Sequence, residues 1–382
     1  MVGAGIGGLA VACGLQSLGH DCVVYEQAEG LRLSGAAVTI WPNGSAALTE
    51  LRIPLEGLGQ RIDRFELRSA QGRMMGAIDG VRLARRFGVP AMVIPRRLLL
   101  QRLAEGLASD SLRFAHPCRA VRLHESGATV EFENGDSATV DLVVGADGHR
   151  SAVRTAVLGG GPAEPTGWAE WQGLSQVSTR LSDGHQALLL TDKDGACGLM
   201  PAGEGRLQWW FTVPGTPDTP RPFSVVSMLR ERFGSWMPPV PELLDGMSDA
   251  EVNFWPYVRH RVPKSLFVGR VVLLGDAVHA MPPTMAQGAN QTLEDAMVLT
   301  AQLRSAPLSS ALRGYDRARR RRVAAVSRLA ARSPAQDPDS AWAGSLVVPA
   351  SLSTWFFGSL LRAVSNSLGV RTPHGGRTGR NA

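Results

Sequence analysis

The chain has 382 residues, of which 44% are hydrophobic and 19% charged, and a formal net charge of +6. These values exclude a disordered chain, and the length exceeds one ordinary core, so two intimately joined domains are expected. The positive balance is almost all arginine, Lys193 and Lys264 being the only lysines, so no nucleic-acid partner is expected from it.

The chain opens on Gly3-Ala4-Gly5-Ile6-Gly7-Gly8-Leu9, continues as a small-residue helix that stops at Gly19, and reaches the strand Cys22-Val23-Val24-Tyr25. Glu26 and Gln27 follow at the tip of that strand. The spacing suits a dinucleotide. Gly3 permits a tight turn, Gly5 lets backbone approach a pyrophosphate, and Gly8 allows close helix–strand packing. The free N–H groups and dipole of the helix start then hold phosphate, and a carboxylate at Glu26 can accept from both ribose hydroxyls. Only Met1 and Val2 precede Gly3, whereas such a fold places a central strand of about five residues there. The expectation is that the natural product carries more apolar residues upstream.

Residues 31–60 read as loop and short helix. Pro95-Arg96-Arg97 introduces the apolar helical stripe Leu98 to Leu107, and the alternating runs at Val121 and Ala128, with Asn134-Gly135 after them, form a hairpin-rich ribbon. Leu142 to Gly145 is a buried strand that ends in the turn Asp147-Gly148, with Ser151 placed to cap the next helix. Between residues 160 and 260 lie six of the nine tryptophans and alternating runs such as Leu207-Gln-Trp-Trp-Phe211, the pattern of an inserted, mostly antiparallel sheet domain. Val271 to Leu274 returns as a buried strand that delivers Asp276 to its carboxyl end, where ligands of open α/β sheets bind. A helix is expected from Gln291 to Leu303.

The domain reading is therefore discontinuous: nucleotide-binding parts at 1–72, 96–160 and 261–335, sheet-domain parts at 73–95 and 161–260, and a C-terminal segment at 336–382. The arginine run Arg317 to Arg322 reads as a solvated helix face, since Leu312, Tyr315, Val323, Val326 and Leu329 recur at helical spacing. Ala341 to Leu361 has membrane-spanning length but contains Pro349 and several serines; it reads as a cover for an apolar surface, with peripheral membrane contact second. The tail from Thr372 reads as disordered. Cys13, Cys22, Cys118 and Cys197 show no CxxC pairing and the eight histidines no ligand cluster. No metal is expected, and a reducing, cytoplasmic setting is.

The three blocks at Gly3, Asp147-Gly148 and Gly275-Asp276, in this order, resemble the GxGxxG, DG and GD motifs of the flavin-dependent aromatic monooxygenases, the single-component hydroxylases of p-hydroxybenzoate and salicylate hydroxylase type. The resemblance covers roughly residues 3–330 and implies an α/β fold: a Rossmann-like FAD-binding domain of glutathione-reductase type with an inserted β-sheet substrate domain and C-terminal helices. It implies FAD as cofactor and NADH or NADPH as electron donor. A flavin C4a-hydroperoxide would pass one oxygen of O2 to an aromatic or other unsaturated small molecule. By the same resemblance, Gly3, Gly5, Ile6, Gly7, Gly8 and Leu9 cradle the pyrophosphate, and Glu26 and Gln27 hold the adenosine ribose. Arg96, with Arg97 as a rival, reaches the FAD. Asp147 lies by the pyrophosphate, supported by Ser151 and Arg154, and Asp276 takes the ribityl chain. Pro283, Gly288, Ala289 and Asn290 line the ring.

His279 stands beside the flavin in this reading, either as proton carrier or as a turn-stabilising residue. Trp171, Gln172, Met200, Gln208 and Trp210, with Pro201 and Phe211, are the candidates for the substrate pocket, or else the core of the sheet domain. Two departures from the family pattern stand out. Ala286 replaces the first glycine of Gly-Gln-Gly, and Gln172 replaces the arginine of a Trp-Arg-Gly strand. The second argues against a small dianionic substrate. A reductase or oxidase of related fold, and a non-catalytic FAD-binding protein, are the alternatives.

Overall fold

The computed structural model describes residues 1–32, 35–176, 184–193, 195–331 and 347–368. The expected disorder from Thr372 onward and the first part of the Ala341–Leu361 stretch lie outside these residues. The chain folds as a mixed α/β protein. Its nucleotide half is built on a sheet that runs Leu112–Arg113, Val24–Tyr25, Val2, Val143–Gly145, Val271–Leu273 and Phe267–Val268. All these pairings are parallel except the last. Val2 makes parallel bridges to both Tyr25 and Gly145, and its N–H donates to Val144 O at 2.9 Å. These strands read as near-continuous apolar runs because helices cover both faces.

The helix Ile6–Gln16 is buried over almost its whole length, and its small residues explain the fit: a Cβ on Gly14 would lie 2.4 Å from the Thr300 hydroxyl. Thr300 belongs to the helix Gly288–Ser305, which packs directly on this first helix. Helices Pro42–Glu50 and Arg96–Glu105 and the small sheet of Ala37–Ile40, Met92–Pro95 and Gln60–Arg61 complete this half. Beside it stands a three-stranded antiparallel ribbon, Cys118–Leu123, Ala128–Phe132 and Ser137–Val140.

The second half is a seven-stranded sheet in the order Asn253–Arg259, Glu164–Gln176, Arg206–Pro214, Gly195–Gly203, Gln186–Asp192, Arg64–Ser69 and Met74–Asp79. Only the pairing of Gln186–Asp192 with Arg64–Ser69 is parallel. The strand that joins this sheet from the amino-terminal half therefore begins at Arg64, ahead of residue 73. Helices Val225–Phe233 and Val240–Asp245, which the alternating pattern does not announce, cover its outer face.

Alternation along each strand sorts the expected pocket residues onto two faces. Trp171, Phe211 and Trp209 point to the outer side and form a core with Leu229, Phe233 and Leu243. Met200 and Trp210 point to the inner side, with Trp41, Ala37 and Ala286 of the nucleotide half. Gln172 stands opposite Trp210 and Gln208 opposite Met200 in the ladder, so both share that inner face. Trp171, Pro201 and Phe211 are thus not on the face that looks toward the flavin loops; adjacent strand residues cannot line the same surface. The helix Ala350–Val364 closes the inner side, with Phe357 4.5 Å from Trp41 and Leu361 buried in the same cluster.

Candidate functional site

Gly3 leaves the middle of the parallel sheet with φ of 101°, and a Cβ there would lie 2.5 Å from Ala146 O. A Cβ on Gly8 would lie 2.0 Å from Gly3 O, so glycine alone fits either place. Gly7 is tight for another reason, facing Leu274 and Thr292. Gly5 differs from all three: a Cβ there would meet nothing within 4 Å. The helix start beside it has no side-chain cap, which leaves its N–H groups open to an anion. Ile6 and Leu9 are buried in the core, so they can offer only backbone.

The Glu26 carboxylate is fixed from both sides. Its Oε2 accepts from Ala4 N–H at 2.8 Å and its Oε1 from Ala28 N–H at 3.0 Å. Each oxygen keeps a further lone pair for a hydroxyl. Gln27, next in the chain, is exposed.

Asp147 turns inward. Its Oδ1 accepts from the Ser151 hydroxyl at 2.5 Å and its Oδ2 from Val153 N–H at 3.1 Å, while Ser151 caps Arg154 N–H at 2.8 Å. Burial pushes the Asp147 carboxyl up, and these hydrogen bonds oppose it. In this arrangement Asp147 organises the start of the helix Ala152–Leu158. Arg154 then reaches across to the third motif, donating to Ala277 O at 3.1 Å and Arg261 O at 3.1 Å. The two motifs are thereby clamped together.

Asp276 is exposed at the carboxyl end of Val271–Leu273, after Gly275 with φ of 58°. Arg96 lies within electrostatic reach of it. Among the described residues the half-buried Arg96 guanidinium makes no hydrogen bond or ion pair; desolvation lowers its proton affinity and Asp276 opposes that. Arg97 instead pairs with Glu204 at 3.6 Å. A desolvated cation without a partner is costly unless an anion completes it.

The helix Gly288–Ser305 also starts without a side-chain cap, and a Cβ on Gly288 would meet nothing within 4 Å. Ala289 packs against the core. The Asn290 side chain is spent on the protein: its Oδ1 accepts from Trp41 N–H at 2.8 Å, and its Nδ2 donates to Thr39 O at 2.9 Å and Ala286 O at 2.6 Å. Only its backbone N–H remains for a ligand. Pro283, in the short turn before this helix, is exposed.

On the inner face of the seven-stranded sheet, Gly198 leaves space that the Trp210 indole fills, since a Cβ there would lie 2.0 Å from its ring. The Met200 sulfur accepts from the Thr39 hydroxyl at 3.2 Å, tying this face to the nucleotide half. Buried polar atoms left without a partner in the protein include Gln208 Oε1, Trp41 Nε1 and Gln287 Nε2. Deeper in the same sheet, Tyr257 donates to Glu170 at 2.9 Å, and burial pushes the Glu170 carboxyl up to about 7.

The chain matches the FAD binding domain family over residues 1–330. It belongs to that family. It is 32% identical over 329 residues to an FAD-dependent urate hydroxylase of Klebsiella pneumoniae subsp. pneumoniae, covering 85% of this chain and 86% of the relative. It is 33% identical over 340 residues to the 3-amino-4-hydroxybenzoate 2-monooxygenase of Streptomyces cremeus, covering 87% and 85%. The structure of Klebsiella pneumoniae HpxO complexed with FAD and uric acid superimposes with a TM-score of 0.88 at 29% identity, covering 96% of each chain. The relationship that the three motifs implied is thus present, and the cofactor is FAD.

The residues fit that cofactor. Open glycines stand at both helix starts, the half-buried Arg96 guanidinium has no anion among the described residues, and buried donors at Trp41 and Gln287 lack acceptors. His279 is fully buried and its Nε2 lies 2.6 Å from Asp295 Oδ2, the carboxylate that also accepts from Gly275 N–H, an arrangement in keeping with the turn-stabilising alternative. One sequence expectation is corrected. Arg319, in the run read as solvated, is also fully buried. It donates to Asp295 Oδ1 at 2.7 Å, Glu294 Oε2 at 3.0 Å and Gln291 Oε1 at 2.6 Å. Arg317 and Arg321 do face solvent, along an open cleft of about 650 Å³.

This network, absent from the sequence reading, continues into the C-terminal segment. Glu294 accepts from Asn366 N–H at 2.6 Å and from the hydroxyls of Ser365 and Ser367, and Ser367 also donates to Asn43 O at 3.0 Å. Gly275 N–H donates to Asp295 at 3.0 Å, so the turn that presents Asp276 rests on the same carboxylate. The one available signal was the acidic pair Glu294-Asp295, set on a helix otherwise rich in apolar and small residues.

Proposed function

We propose that the chain is an FAD-dependent monooxygenase that uses NADH or NADPH and O2 to hydroxylate an aromatic or unsaturated heterocyclic small molecule. The observation that carries this reading is the half-buried Arg96, without a partner among the described residues and within electrostatic reach of Asp276, together with two uncapped helix starts. The pyrophosphate would lie on the Gly5 turn and the ribityl chain beside Asp276, with Glu26 at the ribose. When bound, FAD supplies the redox chemistry, taking electrons from the nicotinamide donor and delivering oxygen to the substrate. The N–H groups at the start of Gly288–Ser305 favour negative charge that develops on the ring.

The substrate would lie between those N–H groups and the inner face formed by Gln172, Met200, Gln208 and Trp210. Trp41 and Phe357 help to exclude water from this space, and Gln208 Oε1 offers an acceptor to a ring N–H or hydroxyl. Gln172 in place of an arginine removes a positive charge from this face, which favours a neutral, polar ring over a dianion. The relatives' substrates, urate and an aminohydroxybenzoate by their names, are ring compounds of this size class.

The test is a screen of neutral phenols, purines and quinolones for compounds that accelerate flavin reduction by NADH or NADPH. Mass analysis of the product should then show one added oxygen atom. Reduction with no oxygen insertion under any ligand would favour a reductase instead.

A further inference from the structure

We propose that the outer face of the helix Ala350–Val364 seats on the surface of an anionic phospholipid membrane. The inner face of this helix is occupied: Thr354 accepts from Asp79 N–H at 2.9 Å, and Phe357 and Leu361 join the cluster around Trp41. Its outer face is not. Leu352, Trp355 and Phe356 are 53%, 58% and 65% exposed, and Val347 and Val348, just before the helix, are 59% and 38% exposed. Large exposed apolar side chains concentrated this tightly mark an interaction surface.

The charges around the stripe identify the partner. Residues 341–382 contain no Asp or Glu, whereas Arg362 ends the helix on its exposed side. The neighbouring helix Gly80–Phe87 packs against Gly358 through Leu83 and Arg86, and presents Arg82, Arg85 and Arg86 to solvent. An apolar stripe with Trp at its centre and arginines at its rim matches the boundary between acyl chains and anionic headgroups. A second copy of the chain fits less well, because two-fold pairing would set one arginine rim against the other. The helix lies on the bilayer and does not cross it, since no described helix is long and apolar enough to span one.

The experiment is co-sedimentation of the FAD-loaded full chain with vesicles of phosphatidylcholine alone and of phosphatidylcholine with phosphatidylglycerol, at low and high salt. The protein should pellet with the anionic vesicles, and high salt should weaken that binding. The double variant Trp355→Ser/Phe356→Ser should lower binding roughly tenfold or more. Arg82→Glu/Arg85→Glu should lower it by about tenfold for anionic vesicles. Both pairs are exposed, so flavin content should be unchanged; if the aromatic variant loses its flavin, the arginine variant decides. The proposal is overturned if the wild-type chain ignores anionic vesicles. It is also overturned if either folded variant binds as well as wild type. Equilibrium sedimentation that shows a dimer dispersed by the aromatic variant would equally overturn it, in favour of a second copy.

Discussion

Ala286 holds φ of 48° and ψ of 38°, the left-handed conformation that glycine adopts without penalty. An L-residue there costs on the order of 1–2 kcal/mol, partly offset by the lower entropy of its unfolded chain. The Ala286→Gly variant is therefore expected to gain about 0.5 kcal/mol, read as a higher melting temperature. A loss would mean that the methyl's contact with the Trp41 cluster outweighs the backbone strain. Two buried groups contribute to the pH response in opposite senses. Burial, aided by Arg154, lowers His260 to about 4, so the unfolded chain binds a proton there that the folded chain refuses. Stability should fall as pH drops from about 6.5 toward 4, by at most about 1.4 kcal/mol per unit. Glu170 acts in the opposite window: its carboxyl, raised to about 7, keeps a proton that the unfolded chain releases above its ordinary range. Its contribution is lost as pH rises through 7. Melting curves of His260→Gln and Glu170→Gln against pH should flatten the acid and neutral limbs respectively; unchanged curves would refute the assignments.

At the scale of elements, Arg319 joins the helices Gly288–Ser305 and Leu308–Ala330 to the segment that ends the described chain. Its removal leaves two buried carboxylates without a counter-charge, a cost of about 3–5 kcal/mol. Arg319→Leu should unfold at markedly lower denaturant, whereas Arg317→Leu, on the exposed face of the same helix, should change stability by less than about 0.5 kcal/mol. Equal effects would contradict the buried network. Helical spacing places a residue on a face, but the run Arg319-Arg320-Arg321-Arg322 hides which arginine turns inward. Its partners lie about 25 positions away, beyond any local pattern. The strand Glu164–Gln176 shows the converse. Its existence was implied by the family's Trp-Arg-Gly strand, but which of Trp171 and Gln172 looks toward the flavin loops depends on register with Arg206–Pro214. With that register known, Gln172→Ala and Gln208→Ala are expected to change substrate choice and leave flavin content intact. Trp171→Ala should instead destabilise the sheet domain by about 3–5 kcal/mol.

At the scale of the whole molecule, the glycine turn, the Asp-Gly turn and the Gly-Asp turn were legible because each is local chemistry: positive φ, an uncapped helix start, a carboxylate at a strand end. Their convergence is a property of the parallel sheet, which puts Gly3, Asp147 and Asp276 at one edge through Val2, Val143–Gly145 and Val271–Leu273. That the Asn290 side chain is spent on the protein was not legible, since its bonds to Trp41 and Thr39 reach across about 250 positions; for His279 the turn-stabilising alternative was legible and its partner Asp295 was not. The most direct measurement is the affinity of the flavin-stripped chain for FAD, by fluorescence quenching, in wild type and in Arg96→Ala. Wild type should take up one FAD per chain, and the variant should bind roughly tenfold to hundredfold more weakly, the value of a charge-assisted contact. A folded wild-type chain that takes up no FAD would contradict the account, and equal affinity in Arg96→Ala would remove the observation on which the site rests.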